Sequence, residues 1–557
     1  MKKSILVAFL ILFTPASAAL ARGGAVSAAD PRAAEAGRDI LRQGGSAADA
    51  AMAMMLALTV VEPQSSGIGG GGFIVYHNAA TGKAETIDGR EKAPASASPK
   101  LFLTPDGKPM PFLSAMPGGR SVGIPGNISL MARAHQKWGK LKWAALFQPA
   151  IRLAENGYQV TPRLAGALNQ LKGLWPDFPA AQAIYWQDGR PKVVGDTVRN
   201  PALAKLLRSI AAKGPKAFYS GENARAIIDA AGLSKRNPTR ITARDIASYQ
   251  AKDRAAVCTT YRTYKLCGMG PPSSGATTVF QILGMLERFD MKALGKDNPR
   301  SWHLIAEAMF LAYADREKYL GDPDFVQVPV AGLLDKTYIA SRSAMISPDS
   351  SLPKYEAGTP PGAQPRTAAI SGEVAGTTHF IAVDGAGDIA SMTSTVEGPF
   401  GSQLNANGYF LNNELTDFTF APEKDGAPVA NRVEAGKRPL SSMSPTIVYD
   451  ANGKPVFAVG AAGGKTIIMQ VAKTLIAHLD WGLSAQEALA QPNIYMAGEA
   501  VLVEPNSSLA AMQVPLAQLG RTVVTGQMAS KANAAELTTS GWRGAADPRS
   551  EGVALEE

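Results

Sequence analysis

The sequence predicts an α+β protein built as a four-layer αββα sandwich, with helices outside and strands inside. Three observations carry this. Up to about residue 376 the chain reads as mostly helical with scattered strands, and from residue 377 it changes to strands and turns. Both parts contribute strand-like and helical runs, so the layers are assembled from both. With 46% hydrophobic and 18% charged residues in 557, the chain has material for a large core.

The elements follow in order. Lys2-Lys3, an apolar run from Ile5 to Phe13, and the small-residue triplets Ala16-Ser17-Ala18 and Ala19-Leu20-Ala21 have the layout of a secretory signal peptide over residues 1–21. The mature chain then starts at Ala19 or Arg22, and the apolar run is too short to span a bilayer. Asp30-Pro31 starts a helix that reaches Gln43 and stops at Gly44-Gly45. Ser46, with Asp49 three residues on, starts a second helix over 47–61 that Glu62-Pro63 ends. That apolar helix is interrupted by Asp49 and shorter than a bilayer requires, so it is a buried core helix and not a membrane anchor. Strands are expected at 73–76 and 84–87, and helices at 202–212, 223–231 and 302–319.

Cys258 and Cys267 flank an alternating run with Arg262-Thr263 at its centre. A two-residue turn there sets Tyr261 against Tyr264 and Cys258 against Cys267 as a non-hydrogen-bonded pair, whose Cα atoms lie about 4.5 Å apart. In an exported chain this predicts a structural disulfide rather than a metal site. Residues 358–365, rich in Pro and Gly, form an exposed loop. The runs 377–383 and 388–396 are joined by Asp384-Gly385-Ala386-Gly387 as a hairpin. A strand at 409–411 follows Asn407-Gly408, and 446–449 pairs with 455–460 through Asp450-Ala451-Asn452-Gly453. A helix over 466–478 comes next, and Ser484 with Glu487 forms the capping box of another.

A net charge of +9 without any Lys/Arg run describes a basic soluble surface, and no nucleic-acid motif accompanies it. The chemistry concentrates at Gly376-Thr377-Thr378-His379-Phe380. Taken alone, this is ordinary strand composition. A threonine that becomes a chain terminus, however, gains its own base in the freed α-amine. Thr378 is the rival nucleophile but points to the opposite face of a strand. His379 shares the face of Thr377 and is read as structural, because the amine already supplies a base. Gly460-Ala461-Ala462-Gly463-Gly464-Lys465-Thr466 has three residues between Gly460 and Gly464 where a phosphate-binding loop needs four, so that reading fails. Glycines entering a helix still expose amide donors able to stabilise an oxyanion.

Several blocks carry a resemblance: Glu62-Pro63-Gln64-Ser65-Ser66-Gly67-Ile68-Gly69-Gly70-Gly71-Gly72-Phe73, Asp88-Gly89-Arg90-Glu91, Pro271-Pro272-Ser273-Ser274-Gly275, Lys437-Arg438-Pro439-Leu440-Ser441-Ser442-Met443-Ser444-Pro445 and Asp547-Pro548-Arg549-Ser550. From about residue 33 to 549 the chain resembles the gamma-glutamyltransferases, members of the N-terminal nucleophile hydrolases. The resemblance implies one large sandwich, where length alone would allow several domains. It implies a precursor cut at Gly376-Thr377 into a large subunit, 22–376, and a small one, 377–557, that stay together as a heterodimer. Thr377 matches the nucleophile, Thr395 the second threonine that hydrogen-bonds it, and Gly463 and Gly464 the oxyanion donors. Arg90 matches the carboxylate-binding arginine, Ser441 and Ser442 the serine pair on the same carboxylate, and Glu414 and Asp417 the positions that hold the ammonium. Glu397 and Glu414 depart from members with Asn or Ser, and Gln, there. The stretch between Asp417 and Ser441 is shorter than in members with a full lid.

The implied activity is transfer of the γ-glutamyl group of glutathione and related donors to water, amino acids or peptides, in the periplasm or outside the cell. It needs no cofactor, metal, nucleic acid or membrane anchor. A cephalosporin or glutaryl acylase on the same fold is the alternative, and a secreted amino-acid or peptide binding protein that never cleaves itself is another.

Overall fold

A computed structural model describes residues 23–369, 372 and 374–557, so the signal-type stretch lies outside it. Strand β1 (Ala25–Ala28) leads into helices α1 (Pro31–Arg42) and α2 (Ala47–Val61), and β2 (Gly71–Asn78) and β3 (Lys83–Asp88) follow. Strands β4 (Lys252–Arg254), β5 (Val257–Tyr261) and β6 (Tyr264–Gly268) precede helices α3 (Gly275–Leu286) and α4 (Pro299–Tyr319). Then come β7 (Thr377–Val383), β8 (Ile389–Thr395), β9 (Thr446–Tyr449), β10 (Pro455–Ala462) and helix α5 (Thr466–Leu479). Strands β11 (Lys531–Thr538), β12 (Gly541–Ala546) and β13 (Val553–Glu556) close the chain.

The strands form two antiparallel sheets, one of seven in the order β13-β1-β7-β8-β2-β3-β4 and one of six in the order β12-β11-β10-β9-β6-β5. Strand alternation builds the layers. Phe380 and Ala382 of β7 enter the core that α1 and α2 cover with Ile40, Met52 and Leu56. Ile381 and Val383 enter the other core, with Ile447 and Val459 of the second sheet and Phe280, Met309 and Val471 of α3, α4 and α5. The result is the expected αββα sandwich. The first sheet mixes strands from both sides of residue 376, with β1 lying between β13 and β7, so scission there would leave the two pieces interleaved.

Local chemistry sets the boundaries. Ser46 and Asp49 make the capping box that starts α2, and Ser484 and Glu487 make another. Arg262 adopts φ 54°, as a two-residue turn with twist-matched strands demands, and Cys258 stands opposite Cys267 with Cα atoms 4.1 Å apart. The Pro/Gly-rich loop is tethered as well as exposed: the Gly358 amide donates to Asp315 Oδ1 at 2.8 Å and the Tyr319 hydroxyl to the Gly358 carbonyl at 2.6 Å. Among the described residues no helix is long and apolar enough to cross a membrane.

Candidate active site

Thr377, the first residue of β7, stands opposite Thr395, the last of β8. Their Oγ1 atoms are 3.1 Å apart, and the Thr395 hydroxyl donates to the Gly376 carbonyl at 3.0 Å. A hydroxyl has one proton, so with that of Thr395 on Gly376 O, the proton between the two threonines is Thr377's. The carbonyl before Thr377 is thus polarised by a donor, and the Thr377 oxygen is relieved of its proton's direction toward it. The Glu397 amide completes the shell of Thr395 Oγ1 at 2.7 Å.

Gly376 is required sterically, since a Cβ there would lie 2.2 Å from the Glu397 carbonyl oxygen. Glu397 itself holds φ 75°, a conformation that costs energy for a side chain with a Cβ. Three bonds hold it in place: its own amide to Thr395, Oε1 accepting from the Val374 amide at 2.8 Å, and Oε2 accepting from Asn413 Nδ2 at 2.6 Å.

Arg90, 1% exposed, is gripped on every side. Its Nη1 pairs with Glu414, Nη2 donates to Asp417 Oδ2 at 2.5 Å and to the Leu440 carbonyl at 2.7 Å, and Nε donates to the Pro439 carbonyl at 3.1 Å. Glu91 lies 3.9 Å from Nη1. Burial opposes the charged guanidinium, but Glu414, Asp417 and Glu91 outweigh it and raise its pKa. Arg90 therefore faces three buried carboxylates, and a fourth, Glu397, lies beside Asp417. Burial holds Glu397 and Glu414 well above the ordinary carboxylate range, Asp417 adding to the first and Glu91 to the second, while Arg90 pulls Glu414 back. Burial likewise pushes Glu91 up to about 7. Such a pocket is short of positive charge and suits a ligand that brings an ammonium as well as a carboxylate.

The Ser441 hydroxyl accepts from the Met443 amide at 3.2 Å, and that of Ser442 from Arg316 Nη2 at 2.9 Å. Each keeps its own proton for a ligand. Gly463 and Gly464, between β10 and α5, adopt φ 141° and 59°, conformations that glycine takes readily, just before the helix starts.

Thr377, Thr395, Arg90, Glu397, Glu414, Asp417, Ser441, Ser442 and Gly464 line one pocket together with Val374, Met443 and Ile467, and Gly463 adjoins it. Only about 10 Å³ remains free there, so the pocket is nearly filled by its own side chains. A roomier hollow of about 760 Å³ lies elsewhere, around Lys205, Arg208, Lys213 and Lys216. It contains no member of the Thr377 constellation, and the chemistry selects the smaller pocket. Thr378 is fully buried, belongs to the opposite face of β7 and is absent from the pocket. His379 lies between the sheets, its Nδ1 2.8 Å from Thr393 Oγ1 and its pKa lowered to about 3 by burial, so it stays neutral.

The sequence matches the Gamma-glutamyltranspeptidase family over residues 33–556. The chain belongs to that family. Among curated relatives, the glutathione hydrolase proenzyme of Bacillus subtilis is 38% identical, with 85% of this chain and 81% of that protein aligned. The acylase ACY 1 proenzyme of a Pseudomonas species is 33% identical, across 95% of this chain and 93% of its own length. Among solved structures, a cephalosporin acylase from Bacillus halodurans superposes with a TM-score of 0.84 at 28% identity, covering 98% of this chain and 99% of that one.

Three residues that support the pocket lining of this family member from behind carry no signal of their own in the sequence. Glu91 ends the Asp88-Gly89-Arg90-Glu91 block, Asn413 sits one residue from Glu414, and Arg316 lies on α4 far in sequence from every motif. Only the adjacency of the first two to named residues could have flagged them.

Proposed function

We propose that this chain is a gamma-glutamyltransferase and glutathione hydrolase precursor that cuts itself between Gly376 and Thr377. The Thr377 hydroxyl attacks the Gly376 carbonyl while Thr395 donates to the developing oxyanion. C–O bond formation gives a tetrahedral intermediate, the nitrogen takes up the hydroxyl proton, and collapse breaks the C–N bond to leave the ester and the free α-amine. Water then hydrolyses the ester. In the product, the amine takes the hydroxyl proton as Thr377 attacks the γ-glutamyl carbonyl, and the amides of Gly463 and Gly464 receive the oxyanion. Water or an amino-acid amine releases the acyl group. The carrying observation is the single pocket that sets Thr377 beside one guanidinium and a surplus of carboxylates.

In this reading Arg90, Ser441 and Ser442 take the α-carboxylate and Glu414, Asp417 and Glu397 the α-ammonium. The acylase reading has support from the acylase relatives, but a glutaryl group lacks the ammonium and leaves those acids uncompensated. Processed protein should turn over γ-glutamyl-p-nitroanilide with a kcat/KM roughly 100-fold or more above glutaryl-p-nitroanilide. Equal values, or a preference for the glutaryl compound, would make it an acylase. A single band on a denaturing gel after purification would favour a binding protein.

The reading includes export through residues 1–21, with fragments 22–376 and 377–557 remaining one heterodimer. Protein recovered from the periplasm or medium should then hold Cys258 and Cys267 as a disulfide, for which their facing positions in the hairpin give support. Intact mass after alkylation without reductant should show no modified thiol, whereas two adducts would rule the disulfide out.

A further inference from the structure

The two glycines proposed to hold the oxyanion are the residues with the most backbone freedom, and a useful oxyanion site cannot be loose. Each of their amides belongs to a planar unit with the carbonyl of the preceding residue. Fixing Ala462 C=O therefore fixes Gly463 N–H, and fixing Gly463 C=O fixes Gly464 N–H. Both carbonyls are held by one buried side chain and its relay. Gln470, on α5 and 2% exposed, donates through Nε2 to the Ala462 carbonyl at 2.8 Å and to Thr466 Oγ1 at 3.0 Å. The Thr466 hydroxyl in turn donates to the Gly463 carbonyl at 2.8 Å, with the Ala529 carbonyl a more distant acceptor at 3.4 Å.

The other end of the amide is held too. Gln470 Oε1 accepts from the Lys531 amide at 3.3 Å and lies 2.9 Å from the Ser530 hydroxyl, whose proton is directed between it and Asp547 Oδ2 at 2.7 Å. Asp547 Oδ1 is fixed by the amide and Nη1 of Arg549, at 2.9 and 3.0 Å. The Asp547-Pro548-Arg549-Ser550 motif, remote from the pocket lining, is thus the outer anchor of a chain of bonds that ends on the glycine loop.

We propose that Gln470 is a positioning residue for the reaction, orienting the amides of Gly463 and Gly464 through Ala462 C=O and Thr466. The inference rests on the oxyanion reading of those glycines. Gln470→Glu keeps the shape but sets a carboxylate against the Ala462 carbonyl and removes both donated bonds. In processed protein kcat for γ-glutamyl-p-nitroanilide should fall roughly 10- to 100-fold, with KM changed less than about threefold, because the loop acts on the transition state and not on the bound donor. Thr466→Val removes the relay alone and serves if the first variant does not fold. It should lower kcat in the same way, while Thr466→Ser, which retains the hydroxyl, restores it. The proposal is overturned if these variants keep kcat within about twofold of the parent, or lose KM and kcat together as a general packing defect would. Gly463→Ala strikes the loop and the brace together, because its Cβ would lie 2.5 Å from both the Ala529 carbonyl and Thr466 Oγ1 and 2.8 Å from Gln470 Nε2, so it is read against the two brace variants. A kcat lowered there but intact in Gln470→Glu and Thr466→Val overturns the brace alone. A kcat intact in all of them overturns the oxyanion reading and the brace with it.

Discussion

Thr377→Ala should yield a folded chain that runs as one piece and has no measurable turnover. The substitution removes a hydroxyl whose neighbours are Thr395 Oγ1 and, through it, the Gly376 carbonyl, so both the self-cleavage and the transfer lose their nucleophile. Folding should survive, because Thr377 lies at the end of β7 and its register with β8 is held by backbone bonds. Thr377→Ser should keep both reactions at reduced rate, since it retains the oxygen but loses the methyl that restricts χ1. Terminal sequencing of the small fragment gives the sharpest check: it should begin at Thr377. A start at Thr378, or efficient cleavage of the alanine variant, would place the nucleophile elsewhere. The geometry adds a companion expectation, that Thr395→Val slows self-cleavage and also lowers the thermal midpoint, because the buried Gly376 carbonyl and Glu397 amide lose the hydroxyl they share.

What the sequence made legible, and what it did not, has a physical pattern. The long apolar runs with punctuated ends, such as α1, α2 and the β7–β8 hairpin, could be read to within a few residues because caps and turns are local chemistry. The Cys258 to Cys267 register followed from counting outward from one turn. The strands β1, β11, β12 and β13 were not anticipated. Ala25-Val26-Ser27-Ala28 is short and small-sided, and it is a strand because β7 and β13 offer it partners on both sides, which is a tertiary fact. Helix α3 was missed for a similar reason, its run Gly275-Ala276-Thr277-Thr278 giving weak helical propensity that burial overrides. The pocket residues were legible as a set only through the family motifs. What no motif conveyed is that Arg90 already spends four of its five N–H donors on carboxylates and carbonyls, or that Glu91 joins that cluster beside Glu414. Those properties depend on residues far apart in sequence, brought together at the junction of β3, the 414–417 turn and the 439–442 segment.

Donor binding should depend steeply on Arg90. Arg90→Lys replaces a planar fork, here engaging two carboxylates and two carbonyls, by a point charge that cannot meet them together. Hydrogen bonds to a charged group contribute about 1.5–3 kcal/mol each, so KM for glutathione should rise roughly 10- to 100-fold. Self-cleavage, which requires only Thr377, Thr395 and Gly376, should proceed at close to the parent rate, and an unchanged KM would remove Arg90 from the donor site. The same cluster predicts a pH signature. Glu91, pushed up to about 7, is neutral below that pH and ionised above it, so the pocket becomes more negative as pH rises through the window around 7. An ammonium-bearing donor then gains attraction, whereas a glutaryl donor gains none and meets additional repulsion. The titration of the Thr377 α-amine affects both donors alike and cancels in their ratio. The ratio of kcat/KM for γ-glutamyl-p-nitroanilide over glutaryl-p-nitroanilide should therefore increase with pH across that window, and Glu91→Gln should flatten it. A ratio independent of pH in the parent enzyme would show that the buried acids do not meet the ammonium.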